Sequence, residues 1–169
     1  MLRPQDLVIL LKIISLSDDR WMNKDIASSL FLSPSEISIS LSRSEIAGLL
    51  DNSRRHVRKQ ALVELLVYGV PYILPQIPGS VTLGVPTAHS HEYFIGKISS
   101  SEMYVWPDAE SNYRGFSVEP LYSNVAKAAK LDEKLYLYLA LIDVLRMGKV
   151  REKGIAIDKL KHDFDESPY

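Results

Sequence analysis

Residues 25–50 read DIASSLFLSPSEISISLSRSEIAGLL. Ile26, Ala27 and Leu30 fall at helical spacing; Ser33-Pro34-Ser35-Glu36 interrupts them, and Ile37 and Leu41 resume it. The interruption has the form of a helix start. Ser33 can accept from the third backbone N–H, Glu36 can reach back to the N–H of Ser33, and Pro34 takes the first helical position, where a missing N–H costs nothing. Asn23 can cap the preceding helix. Two short helices meeting at a tight turn are expected, the second running to about Ala47 before Gly48 weakens its continuation.

Upstream, Pro4 opens a first helix near 4–16, with Leu7, Leu10, Leu11 and Ile14 at helical spacing. Downstream, RRHVRKQALVELLVYG is expected as a fourth helix over 54–68, with Val57, Ala61, Leu62, Leu65 and Leu66 as its apolar stripe. VPYILPQI and VTLGVPT flank Pro78-Gly79-Ser80, which suggests a hairpin over 72–86, its prolines keeping it to an edge. EYFIGKI and EMYVWPD are candidate short strands, and DAESNYRGFSVEPLYS a loop. Asp132 can cap a helix through LYLYLALIDVLRMG that stops at Gly148, and KVREKGIAIDKLKHDF is a last amphipathic helix. The fold class expected is mainly α with a small β component. Residues 1–90 would form a winged helix-turn-helix domain, and residues 91–169 a C-terminal α(+β) region.

The pattern IAxxLxLSPSEIS…L…AGLL resembles the second and third helices of winged-helix transcriptional regulators of the MarR type. The likeness covers roughly residues 20–50. It implies that the third helix enters the major groove of duplex DNA, with Ser35, Glu36, Ser38, Ile39, Ser42 and Arg43 at its early exposed positions. In those regulators a wing follows the AGL directly; here the basic segment 54–68 intervenes, which leaves 72–86 as the candidate wing. Serine gives or takes a hydrogen bond from several base edges, so it discriminates weakly, whereas Arg43 could make a bidentate contact to guanine. Arg54, Arg55, Arg58 and Lys59 form an acid-free run with His56 among them. Four cations at a helix start oppose the helix dipole, and a DNA phosphate would offset that cost. The expected DNA-binding residues are therefore Ser35, Ser38, Ile39, Ser42, Arg43, Arg54, Arg55, Arg58 and Lys59.

Composition limits the alternatives. The net charge of the 169 residues is −1, so nucleic-acid binding must come from a local patch rather than a polycation. There is no cysteine, which excludes a disulfide scaffold, a thiol nucleophile and a thiolate zinc site. The apolar run near the N-terminus is broken by Lys12 and too short for a membrane span, so a cytoplasmic protein is expected. No Walker loop, GxGxxG or GxSxG is present; neither cofactor nor catalysis is expected. His89, His91 and Glu92 could face one metal from a strand, but a third ligand would have to come from afar, and no metal site is expected.

Tyr136, Leu137, Tyr138 and Leu139 put apolar groups on nearly every face of one helix. Such a helix is buried on several sides, and the helices of 132–164 are expected to join two copies into a dimer on a palindromic operator. The function expected is a sequence-specific double-stranded DNA-binding regulator, a dimeric repressor acting by operator occupation. The alternative is a protein-binding adaptor or antitoxin-like subunit whose C-terminal region holds a partner.

Overall fold

The computed structural model describes residues 1–165. It is mainly helical with one small sheet. Helix α1 spans Pro4–Ser15, and Leu7 to Leu11 are all buried together with Ile13. Its partner is α7, Glu133–Met147, which lies in the middle of the molecule with every residue from Tyr138 to Arg146 buried. Asp132 starts α7 as expected, accepting from the N–H of Leu135 at 3.0 Å. The same carboxylate holds Lys12 Nζ at 2.7 Å and Ser15 Oγ at 2.8 Å. One side chain therefore caps α7 and ties it to the end of α1. Helix α7 stops at Gly148, and α8, Val150–Asp163, folds back along it.

The apolar character of α7 on all its faces is used within the chain. It packs against α1, α8, α5 (Val70–Ile73), α6 (Val125–Leu131) and the turn at residues 88–90. This corrects the expectation that α7 joins two copies: Tyr138, Leu139, Ile142 and Leu145 are 0 or 1% exposed in a single chain. Helix α6, with Val125, Ala126, Ala128 and Ala129 buried, supplies one of the covers and was not anticipated.

The second and third helices form as expected: α2 is Asn23–Leu30 and α3 is Pro34–Ile46, joined by Phe31, Leu32 and Ser33. Asn23 is the first helical residue rather than the cap; the capping carboxylate is that of Asp25, which accepts from Met22 N at 2.8 Å. Phe31 turns the chain in the left-handed region at φ 57°.

The basic segment differs from expectation. Helix α4 begins only at Lys59 and runs to Tyr68. Before it, Leu50 and Val57 form an antiparallel bridge, flanked by Asp51 N–H to His56 O at 3.0 Å and Arg58 N–H to Leu49 O at 2.9 Å. Residues 49–58 are thus a small hairpin whose tip carries Arg54, Arg55 and His56. A hairpin at 72–86 is not formed. Pro71, Pro75 and Pro78 have no N–H to give to a ladder; Val70–Ile73 is helical instead, and only Val81–Pro86 becomes a strand, β1.

The partners of β1 are distant. Its first half pairs antiparallel with β3, Tyr113–Ser117, and its second half with β2, Tyr104–Pro107. β2 and β3 pair in parallel, closing a three-stranded ring. Gly84 lies where β1 passes from one partner to the other, and a Cβ there would stand 2.1 Å from the carbonyl oxygen of Trp106. β3 falls in the stretch expected as loop, and Glu92–Phe94 is a single 3-10 turn where a strand was expected. The sheet crosses the expected boundary between residues 90 and 91, and one continuous apolar core takes residues from both sides of it. Among the described residues no helix is long and apolar enough to cross a membrane.

Candidate nucleic-acid interface

The turn at Phe31–Ser33 sets how α3 leaves α2. Ser33 Oγ accepts from Glu36 N–H at 3.2 Å, and Glu36 Oε2 accepts from Ser33 N–H at 2.8 Å. The Ser33 N–H, with help from the Ser33 hydroxyl, holds the Glu36 carboxyl below its usual range. Glu36 is thereby committed to the cap. The inner side of α3 is Ile37, Ser40, Leu41 and Ser44, all buried. The outer side presents Ser35, Ser38, Ile39 and Ile46 to solvent, with Ser42 half-buried between them. Ile39 is 56% and Ile46 84% exposed, so this face is neutral, hydroxyl-bearing and partly apolar.

Arg43 does not belong to that face. Its guanidinium turns inward and grips Asp6 of α1 with two bonds, Nε to Oδ2 at 2.9 Å and Nη2 to Oδ1 at 2.6 Å. Ser40 Oγ donates to the same carboxylate at 2.7 Å, and Arg3 N–H donates at 2.7 Å. Asp6 has no solvent exposure. Burial pushes its carboxyl upward, but Arg43, the Arg3 N–H and Ser40 outweigh that and hold it below the usual carboxylate range. The expectation that Arg43 reads guanine is corrected: the Nε–Nη2 edge that would make the bidentate contact is held by Asp6 and fixes α3 to α1. The partner is 37 residues away, and nothing local marks it.

The hairpin tip is organised by Asp51. Its carboxylate accepts from Ser53 Oγ at 2.7 and 2.8 Å, from the N–H groups of Arg55 and His56, both at 3.2 Å, and from His56 Nδ1 at 3.1 Å. Those bonds, the Ser53 hydroxyl first, lower its pKa far below the usual range. Arg54 sits at φ 58°, a conformation unusual for a side-chain-bearing residue, and its guanidinium pairs with Glu45 of α3. Arg55 lies over the Trp21 ring, 4.7 Å from its centroid, and donates to the Trp21 carbonyl. His56 stands between Asp51 and, at 3.5 Å, Asp19. The bond to Asp51, with help from Asp19, raises the His56 pKa.

Of the nine residues expected at a DNA surface, Ser35, Ser38, Ile39 and Ser42 share one helix face. Arg54 and Arg55 share the hairpin tip, each with a partner in the chain, and Arg43 is turned away. Arg58 and Lys59 stand at the base of the hairpin, and among the described residues neither makes an ion pair. Only two of the four cations stand at a helix start, Arg58 as the N-cap of α4 and Lys59 as its first residue; Arg54 and Arg55 lie in the hairpin. Sequence reasoning missed Lys24, exposed on α2, and Ile46, which lies seven residues after Ile39 on the same face. Helical spacing was the available signal for Ile46.

The histidines at 89 and 91 take separate surroundings. His89 packs edge-on to Tyr104, with both ring nitrogens buried and unbonded. His91 packs on Tyr136, and its Nδ1 accepts from Tyr93 N–H at 3.0 Å. Burial lowers both pKa values. Among the described residues no three metal-binding side chains converge. Comparison with protein-family models, with characterised proteins and with solved structures finds no match to the chain.

Proposed function

We propose that α1–α3 and the hairpin of residues 49–58 make a winged helix-turn-helix unit that binds duplex DNA, and that the protein is a transcription regulator acting by occupying its operator. The observation that carries this reading is the pairing of two features. A solvent-facing side of α3 bears Ser35, Ser38, Ile39 and Ser42, and a cation-bearing hairpin begins three residues after α3 ends. The hairpin begins at Leu49, the end of the Ala47-Gly48-Leu49 stretch, the place where the resemblance to MarR-type regulators puts a wing.

Serine hydroxyls serve several base edges or phosphates, and isoleucine side chains suit the thymine methyl group. With Arg43 held by Asp6, no strong guanine contact remains on this face, so base discrimination rests on small contacts. Arg58, Lys59 and Lys24 supply charge to the phosphates, and Arg54 and Arg55 do so to the extent that their internal partners release them. Titration of duplex DNA at several salt concentrations tests the reading. Arg58→Gln with Lys59→Gln is expected to reduce the salt slope by about 2, since each phosphate contact contributes about one. Ile39→Glu is expected to abolish binding while the fold persists.

The second reading is an adaptor that binds protein through the same face. Its support is the exposure of Ile39 and Ile46, which is greater than phosphate binding requires. Folded protein that shows no salt-dependent binding to any duplex would overturn the DNA reading in favour of this one.

A further inference from the structure

Residues 65–80, LLVYGVPYILPQIPGS, contain no charged side chain. Four large apolar residues within this stretch face solvent: Tyr68 at 71%, Tyr72 at 80%, Ile73 at 64% and Ile77 at 87% exposure. Tyr68 ends α4, while Tyr72 and Ile73 lie on α5. The opposite side of the segment is anchored. Val70 is fully buried, and Arg146 of α7 donates Nε to Leu74 O at 3.0 Å and Nη2 to Gln76 Oε1 at 3.1 Å. Gln76 N–H returns a bond to Arg146 O at 3.1 Å. Polar groups of this segment are thus satisfied inward, and its apolar side chains are held outward on a fixed support. Beside them lies an open cavity of about 270 Å³, walled by Pro4, Leu74, Pro120 and Leu121 and, on its polar side, by Glu119 and Arg146.

We propose that this surface is a two-fold interface with a second copy of the chain. Three features select that occupant. First, a two-fold contact sets a patch against itself, so a patch of one charge sign would repel its copy; residues 65–80 carry no charge and avoid that repulsion. Second, apolar projections beside a hollow that Ile73 itself helps to line are what self-complementary packing uses. Third, the area fits: at about 200 Å² for a large side chain the four present roughly 600 Å². That is at the upper end of what monomers leave exposed, roughly 300–600 Å². Two copies would remove up to about 1,200 Å² from these residues alone, the lower bound for a stable interface before any rim is counted. The surface shares no residue with α3 or the hairpin, so the interface stands whether or not the DNA reading does.

Sedimentation of the full chain across a concentration series tests it without DNA. The wild type is expected to be a dimer at tens of micromolar. Tyr72→Lys with Ile73→Lys is expected to be a monomer with an unchanged circular dichroism spectrum. Should that pair disturb α5, Ile77→Lys, which lies outside any helix, gives the same reading. Because the chain has no cysteine, Tyr72→Cys carries the only thiol and reports proximity through a thiol-specific crosslinker. A crosslinked pair is expected for this variant and none for Ser38→Cys. A wild type that stays monomeric, a dimer that survives Ile77→Lys and the lysine pair, or crosslinking confined to Ser38→Cys would each overturn the proposal; the first would leave the patch to a different protein.

Discussion

Arg43→Ala is the substitution on which the reading of α3 turns. A base-reading arginine would be removed with little effect on stability. The structure instead places its guanidinium on Asp6, whose carboxylate is fully buried, through bonds of 2.9 and 2.6 Å. Taking away one member of a buried ion pair costs about 3–5 kcal/mol, because the other charge is left without its partner. Asp6 keeps Ser40 and the Arg3 N–H, and the Arg43 side chain is 18% exposed, so the lower end applies. About 3 kcal/mol lowers the melting temperature by roughly 6–12 °C for a chain of this size. The pH dependence gives a second check. In the wild type the Asp6 pKa lies below its unfolded value, so its contribution is present above the unfolded carboxylate range and is lost as pH falls through the folded value. In the variant, burial acts without the guanidinium and raises that pKa. The stability gap between the two proteins is therefore expected to be widest near neutrality and to narrow below about pH 4. Urea unfolding at neutral and acid pH measures both effects. Asp6→Asn combined with Arg43→Ala is expected to cost less than the two singles added together. An unchanged midpoint for Arg43→Ala at neutral pH would refute the reasoning and return Arg43 to the outer face.

Two further outcomes follow from other contacts. His56 has its pKa raised by Asp51 and Asp19, so its charge is fully present below the unfolded value and is lost as pH rises through the higher folded value. On the DNA reading, affinity is expected to fall over that rise, and His56→Gln to flatten the profile; an equally pH-dependent variant would remove His56 from the effect. Asp132→Ala is expected to cost about 1–2 kcal/mol from the lost α7 cap, and somewhat more because Lys12 and Ser15 lose their shared partner. Thermal unfolding checks this, and a loss below about 0.5 kcal/mol would show the contact to be dispensable.

Features carried by neighbouring residues were legible in the chain. The Ser33–Glu36 cap, the first helix from Pro4, the start of α7 at Asp132 and its stop at Gly148 each depend on groups within one helical turn, so residue types suffice to mark them. The exposed serines of α3 follow from the same 3.6-residue period. What the tertiary structure decided involves partners far along the chain. Residues 54–58 lead into an apolar stripe at helical spacing and read as the start of that helix, yet Leu50 pairs with Val57 and Asp51 gathers the N–H groups of the tip, which makes a hairpin. β1 finds its partners 19 or more residues away, one of them in a stretch with the composition of a loop, because strand pairing depends on register between segments rather than on any one segment. The apolar faces of α7 call for covers without saying whose, and α1, α5, α6 and α8 of the same chain provide them. Arg43 lies on α3 at a position that a helical wheel leaves open to solvent or to a neighbour; only the approach of α1, bringing Asp6, settles that it points inward. Local bonding and period are written in the order of residues, whereas the choice of partner for a charge, a strand or an apolar face depends on which elements the fold brings together.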